Sequence, residues 1–329
     1  MTARTDEHSS ATAASTRSTT SAPHVTARPL PPPLAPGARV ALVAPAGPLR
    51  GEADAERAVV NARSFGWEPV LAAHALARRG YFAGTDAERA EDLNDALRDR
   101  TIDGVWCLRG GYGAMRILHL VDYDALRRRP RPLLGYSDVT ALHAAVAARC
   151  DVVSYHAPTA RAELTPFSRV SLARAVVEQG DPCGVAPDAR VLRPGRAEGV
   201  LAGGNLALLA ALAGTPFAPS FEGAVVVMED VDEAVYRVDR MLRQLLMAGL
   251  LDGCRALLFG HCTRCPEESD DGARSLDDVL AEAADALGVP CLAGVPVGHI
   301  DDQWTVPLGA WAEVDADARA VHVQVKRRE

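Results

Sequence analysis

No stretch of roughly 18 unbroken apolar residues occurs among the 329 residues of this chain, so a membrane-spanning helix is not expected. The richest run, Leu206 to Ala213, is too short to span and reads as a buried helix. Positive charge is not in excess either. The formal net charge is −8, and nonspecific nucleic-acid binding needs a positive field to meet the phosphates. The seven cysteines are an odd number and cannot all pair within the chain. They read as small buried hydrophobes of a reducing compartment, which points to the cytoplasm. No G-x-G-x-x-G followed by an acidic residue completes a dinucleotide fingerprint, so no cofactor is expected. Cys262-Thr263-Arg264-Cys265, preceded by His261, is a single C-x-x-C without a second pair. It is weak as a zinc site and lacks the setting of a redox motif, so no metal is expected.

What is present suits a large soluble α/β protein. Apolar residues at 48% supply a full core, and charged residues at 24% match a globular surface. Residues 1–37 differ in kind: they are rich in Ser, Thr, Ala and Pro, without an amphipathic period or a continuous apolar run. They read as a disordered tail without a secretory signal, dispensable for catalysis. From Arg39 onward, short apolar runs alternate with helical spacing. Strands are expected at Val40–Ala44, Val70–Leu71, Ile102–Leu108 and Pro132–Gly135, with helices at Glu52–Phe65, Thr85–Leu97 and Asp138–Arg149. This alternation predicts a parallel, Rossmann- or flavodoxin-like sheet over 38–160. A Pro-, Gly- and Arg-laden stretch makes 161–198 the expected linker. A second, mixed α/β domain is expected over 199–329, with strands at Ala224–Met228 and Arg255–Phe259, helices at Val235–Met247 and Ser275–Leu287, and antiparallel strands at its end.

Active sites of open parallel sheets lie beyond the carboxyl ends of the strands, which ranks three places first. In Gly135-Tyr136-Ser137-Asp138, a strand ends, a serine sits in the turn and a helix follows at once. This is the setting of a nucleophile elbow, although Val139 stands where a hydrolase elbow has glycine. The plainer alternative makes Ser137 an N-cap of the helix. Arg109-Gly110-Gly111-Tyr112-Gly113 also follows a strand; its glycines let backbone N–H groups approach a phosphate or an oxyanion, or else it is an ordinary turn. Glu229-Asp230 and Gly298-His299 each close an apolar run. A carboxylate and a histidine so placed can serve Ser137 as orienter and general base. Their plainer alternatives are a helix-start carboxylate and a satisfied loop histidine.

Taken in order, these residues resemble the LD-carboxypeptidases of bacterial cell-wall recycling and their relatives, the amidases of microcin C resistance. The resemblance runs from about Arg39 to Val325. It rests on Ala44-Pro45-Ala46-Gly47, Phe82-Ala83-Gly84-Thr85, Arg109 to Gly113, Gly135 to Asp138, Gly203-Gly204-Asn205-Leu206, Glu229-Asp230, Gly298-His299 and Pro307-Leu308-Gly309. It implies a serine hydrolase with Ser137 as nucleophile, His299 as base and Glu229 as its orienter. Backbone N–H groups of Gly111 and Asp138 are implied as oxyanion donors, with Arg109 and Asn205 as substrate contacts. The implied substrate is the amide before a terminal D-Ala of a murein tetrapeptide; the alternative is a peptide–nucleotide or acyl-sulfamoyl adenylate conjugate. The expected partner is a small peptide, with a homodimer as candidate assembly.

Overall fold

A computed structural model describes residues 27–266 and 274–324. The first strands are β1 (Arg39–Val43), β2 (Glu68–Leu71), β3 (Gly104–Cys107), β4 (Leu133–Gly135) and β5 (Ser154–His156). Between them lie α1 (Glu52–Ser64), α2 (Asp86–Arg98), α3 (Ala114–Ile117), α4 (Tyr123–Arg128) and α5 (Thr140–Arg149). All five strands are parallel, in the spatial order β2-β1-β3-β4-β5, the flavodoxin-like winding. Local chemistry agrees with these elements. The Thr85 hydroxyl accepts from the Glu88 N–H at 3.1 Å while Glu88 Oε2 accepts from the Thr85 N–H at 2.7 Å, a capping box that starts α2.

The chain continues through α6 (Pro166–Ala173), β6 (Gly184–Val185), β7 (Arg190–Arg193), β8 (Arg196–Asn205) and α7 (Leu206–Leu212). Next come β9 (Ala224–Val231), α8 (Val235–Met247), β10 (Ala256–Thr263), α9 (Leu276–Leu287) and β11 (Cys291–Gly298). The last strands are β12 (Val306–Leu308), β13 (Trp311–Asp315) and β14 (Ala320–Gln324). Eight of these strands form a second sheet in the order β6-β14-β13-β8-β9-β10-β11-β7. Its centre, β8 to β11, is parallel, and its flanking strands are antiparallel. β12 leaves this sheet and pairs antiparallel with β5, closing the edge of the first one. Among the described residues no helix is long and apolar enough to cross a membrane.

Two expected boundaries are corrected. The stretch 161–198 carries α6, β6, β7 and the start of β8, so it builds structure where a linker was expected. Of the expected tail, residues 1–26 lie outside the described residues, whereas Arg28 to Pro36 pack against the fold. Leu34 is fully buried, its N–H donates to Val176 O at 2.8 Å, and its carbonyl accepts from the Trp67 indole at 3.1 Å. The Leu34 side chain fills the space over Gly104, where a Cβ would stand 2.9 Å from Leu34 Cδ2. One leucine with the right neighbours outweighs a composition that reads as coil.

Candidate active site

Three strand ends from two sheets meet at one place. β4 ends at Gly135, and Tyr136 leads into a short 3-10 turn, Ser137–Val139, before α5. Ser137 has φ 64°, a left-handed conformation that costs a non-glycine residue on the order of 1–3 kcal/mol and that clusters at active sites. Its side chain caps nothing, which sets aside the N-cap alternative. The hydroxyl lies 3.2 Å from His299 Nε2, and His299 Nδ1 lies 2.9 Å from Glu229 Oε2. An ionised carboxylate can only accept, so Nδ1 carries the proton and Nε2 faces the serine as an acceptor. The Glu229 side chain is fully buried and the His299 side chain is 22% exposed, so the imidazole stands partly open to solvent with the carboxylate behind it.

The second sheet positions this pair. Glu229 lies on β9, the strand paired with both β8 and β10. His299 follows β11 at once, its carbonyl held by the Thr263 hydroxyl at 3.2 Å. Gly298, with φ 124°, has to be glycine: a Cβ would meet His261 O at 2.9 Å and Glu229 Oε2 at 3.2 Å. The Tyr136 ring packs on His299 with centroids 4.9 Å apart. Burial, and then the nearby Glu229 charge, pushes the Tyr136 hydroxyl up from the ordinary phenol range.

The glycine loop after β3 is fastened beside the serine. Gly110 comes so close that a Cβ there would be 2.8 Å from Ser137 Cβ and 3.2 Å from the Asp138 N. Its carbonyl accepts from the Gly47 N–H at 2.9 Å, which joins the loops after β1 and β3 at the switch point of the sheet. Asp138 turns its buried carboxylate to the same loop, accepting from the Ala114 N–H at 2.7 Å; burial raises its pKa to about 6. Buried Arg89 spans both loops, donating to Pro45 O at 2.6 Å and Gly113 O at 2.8 Å. Among the described residues, the N–H groups of Gly111 and Asp138 find no protein acceptor, so both remain available to an oxyanion.

The other expected residues fare unequally. Arg109 lies against Gly47 and Gly111, with Nη1 donating to Pro48 O, so it braces the loop after β1. Asn205 is 4% exposed, its Oδ1 accepts from the Leu208 N–H at 3.2 Å, and its Nδ2 donates to Asp230 Oδ1 at 3.0 Å. In this arrangement Asn205 caps α7 and holds Asp230, with one amide hydrogen left over. Asp230, beside Glu229 on β9, turns to the Asn205 amide and the Ala207 N–H, and its pKa is raised to about 6 chiefly by burial. Cys262 and Cys265 are free thiols, and among the described residues no group of three His, Cys, Asp or Glu side chains is placed to hold a metal.

Sequence reasoning missed the loop-joining role of Arg89 and the carboxylate role of Asp138; an arginine on a helix face gives no sign of which carbonyls it will reach. It also missed His143 and His156 behind the site. His143 Nε2 meets Gly135 O at 2.8 Å, while His156 is buried with neither ring nitrogen bonded.

Comparison with known proteins identifies the family. Residues 40–157 match the LD-carboxypeptidase N-terminal domain, and residues 198–314 match the LD-carboxypeptidase C-terminal domain. The chain is 35% identical to the murein tetrapeptide carboxypeptidase of Pseudomonas aeruginosa, covering 85% of this chain and 94% of that one. The solved muramoyltetrapeptide carboxypeptidase of Oxalobacter formigenes superposes with a TM-score of 0.78 at 30% identity, covering 87% of this chain and 97% of that one. MccF in complex with glutamyl sulfamoyl guanosine superposes with a TM-score of 0.82 over 91% of this chain and 99% of that one; at 22% identity it speaks for the fold alone. The chain belongs to the LD-carboxypeptidase family of serine peptidases.

Proposed function

We propose that the protein is a cytoplasmic LD-carboxypeptidase that hydrolyses the amide before the terminal D-Ala of a murein tetrapeptide, using Ser137, His299 and Glu229. The observation that carries this reading is the continuous chain from Ser137 Oγ through His299 to buried Glu229. His299 Nε2 takes the hydroxyl proton as Ser137 Oγ attacks the carbonyl carbon. The oxyanion is held by the Gly111 and Asp138 N–H groups, each worth about 3 kcal/mol in the transition state. Glu229 fixes the tautomer and stabilises the imidazolium, which then protonates the leaving D-Ala amine. Water, deprotonated by His299, releases the acyl group from Ser137. The cytoplasmic location is supported by the seven unpaired cysteines.

A second reading, cleavage of a peptide–nucleotide or acyl-sulfamoyl adenylate, has one observation in its favour. Tyr81 and Tyr112, 65% and 51% exposed, cluster with Phe82 beside the glycine loop, with ring centroids 4.4 to 5.7 Å apart. Such a ledge suits a planar base. The deciding experiment offers the enzyme one tetrapeptide ending in D-Ala, L-Ala or D-Ala amide. The carboxypeptidase reading expects strong preference for the free D-Ala acid, abolished in Ser137→Ala. Equal cleavage of all three refutes it and leaves the triad standing.

A further inference from the structure

The carboxyl edge of the first sheet carries a concentration of arginine that the hydrolytic machinery does not use. Arg109 lies against the loop after β1, and it feels the positive charges of Arg161, Arg50 and Arg78, with Asp54 opposing them. Arg109 and Arg78 are spent on neutral carbonyls, those of Pro48 and, at 2.8 Å, Leu49. Among the described residues, the one carboxylate within ion-pair distance of any of the four guanidinium groups is Asp54, 3.5 Å from Arg161 Nη1. Four cations therefore face one anion. The Asp54 oxygen that Arg161 reaches also accepts the Arg50 N–H at 3.0 Å.

Arg161 is the member of the four that is paired with a carboxylate and still keeps a buried donor without a partner. Its side chain is 23% exposed, and its Nε is buried without a partner. A buried N–H left unpaired is costly, and a charged one more so, unless a ligand completes it. The chain places Arg161 five residues after β5, at the same sheet edge as Ser137 after β4 and Arg109 after β3. It is also close enough to act electrostatically on the hydroxyl of Tyr136, whose ring packs against His299. An incompletely paired guanidinium, in the field of three further arginines at the sheet edge that carries Ser137, suits a carboxylate held next to the scissile amide.

We propose that Arg161 binds the free terminal carboxylate of the substrate, with Arg109 contributing field rather than contact. This rests on the carboxypeptidase reading above and assigns that specificity to a side chain outside the motifs of the family resemblance. The test compares wild type, Arg161→Gln and Arg161→Lys on the tetrapeptide acid and its terminal amide. Wild type is expected to favour the acid. Arg161→Gln should shrink the acid-over-amide ratio of kcat/KM by roughly 10- to 10²-fold, the worth of a hydrogen bond to a charged group, and Arg161→Lys should restore part of it. An equal loss on acid and amide marks a structural role and overturns the inference, as does an unchanged ratio. A second measurement separates the subsite from the reaction: calorimetric titration of N-acetyl-D-alanine and of its amide into wild type and Arg161→Gln. Arg161-dependent preference for the acid, in an enzyme that cleaves no tetrapeptide, keeps the subsite and removes the proposed substrate. Acid and amide binding alike to wild type overturns the subsite.

Discussion

Gly110→Ala separates the two jobs of the glycine loop, folding and catalysis. Gly110 does not use a left-handed φ, so alanine brings no backbone strain, only a methyl group. That methyl would lie 2.8 Å from Ser137 Cβ and 2.9 Å from Ser137 Oγ. Rotating the serine side chain can move Oγ away but leaves Cβ in place, so the loop and the elbow have to part. Carbon atoms in ordinary contact sit about 3.5–4.0 Å apart, which requires a retreat of about 0.7 Å or more. A shift approaching 1 Å at reacting groups costs about 10²-fold, and losing one oxyanion donor costs a further 10²–10³-fold. The stability cost is that of mild overpacking, about 1–3 kcal/mol. We therefore expect a folded protein with kcat reduced at least about 10²-fold. Gly180→Ala, whose methyl meets nothing within 4 Å, serves as the control. The assay is tetrapeptide hydrolysis followed by mass measurement, beside urea denaturation of both variants. A folded Gly110→Ala enzyme within a few-fold of the wild-type rate refutes the placement of this loop against the nucleophile.

Three further outcomes are expected. Glu229→Gln removes the charge behind His299 and frees the wrong tautomer, so kcat should fall on the order of 10⁴-fold with little change in KM; retention of a tenth of the activity would remove Glu229 from the role. Leu34→Ala should lower unfolding free energy by about 3–5 kcal/mol, because the vacated space over Gly104 is walled by β3; a change below about 1 kcal/mol in chemical denaturation would show that Arg28 to Pro36 do not dock. Burial depresses the pKa of His143 to about 4 and of His156 to about 3, against 6.5 in the unfolded chain. As pH falls below 6.5 the unfolded chain takes up protons that the folded one refuses, so stability is lost between pH 6.5 and about 3. At about 1.4 kcal/mol per tenfold difference in proton affinity, His143 alone accounts for up to about 3 kcal/mol by pH 4. His156→Leu should flatten this acid limb, and equal pH slopes for variant and wild type would contradict it.

Elements whose sequence carries its own periodicity or cap are legible from the sequence alone. β1, α1, α2, α8 and α9 each lie within about two residues of expectation, because apolar spacing and caps such as Thr85 act locally. β5 and β8 were not legible. Ser154-Tyr155-His156 is three residues long and polar at both ends, and only neighbours on both sides make it a strand. β8 ends in Gly203-Gly204-Asn205, which reads as a turn; the glycines serve close approach, since a Cβ on Gly204 would stand 2.5 Å from Thr140 Oγ1 of α5. At the site, closing an apolar run makes Ser137, Glu229 and His299 candidates, but only the family resemblance lifts them above a cap, a helix-start carboxylate and a loop histidine. The cap that Asn205 forms on α7 is not legible, because an amide at a strand end looks the same whether it faces a substrate or caps a helix. Arg161 carried no signal, because its meaning lies in charges that come from three other loops.

The route of the chain also bears on when the enzyme can become active during synthesis. Ser137 and His299 are 162 residues apart, and the edge of β5 stays open until β12 is made. At about 5–20 residues per second, a ribosome leaves the finished elbow without its base for roughly 8–32 s. Over that interval the nascent chain holds a strained serine that cannot act and a strand edge that can pair with another chain. On the proposed mechanism, a product cut short before residue 299 has no base for Ser137 and keeps that strand edge open. β12 returns late, and it covers the edge of the sheet that carries Ser137 only after His299 has been made.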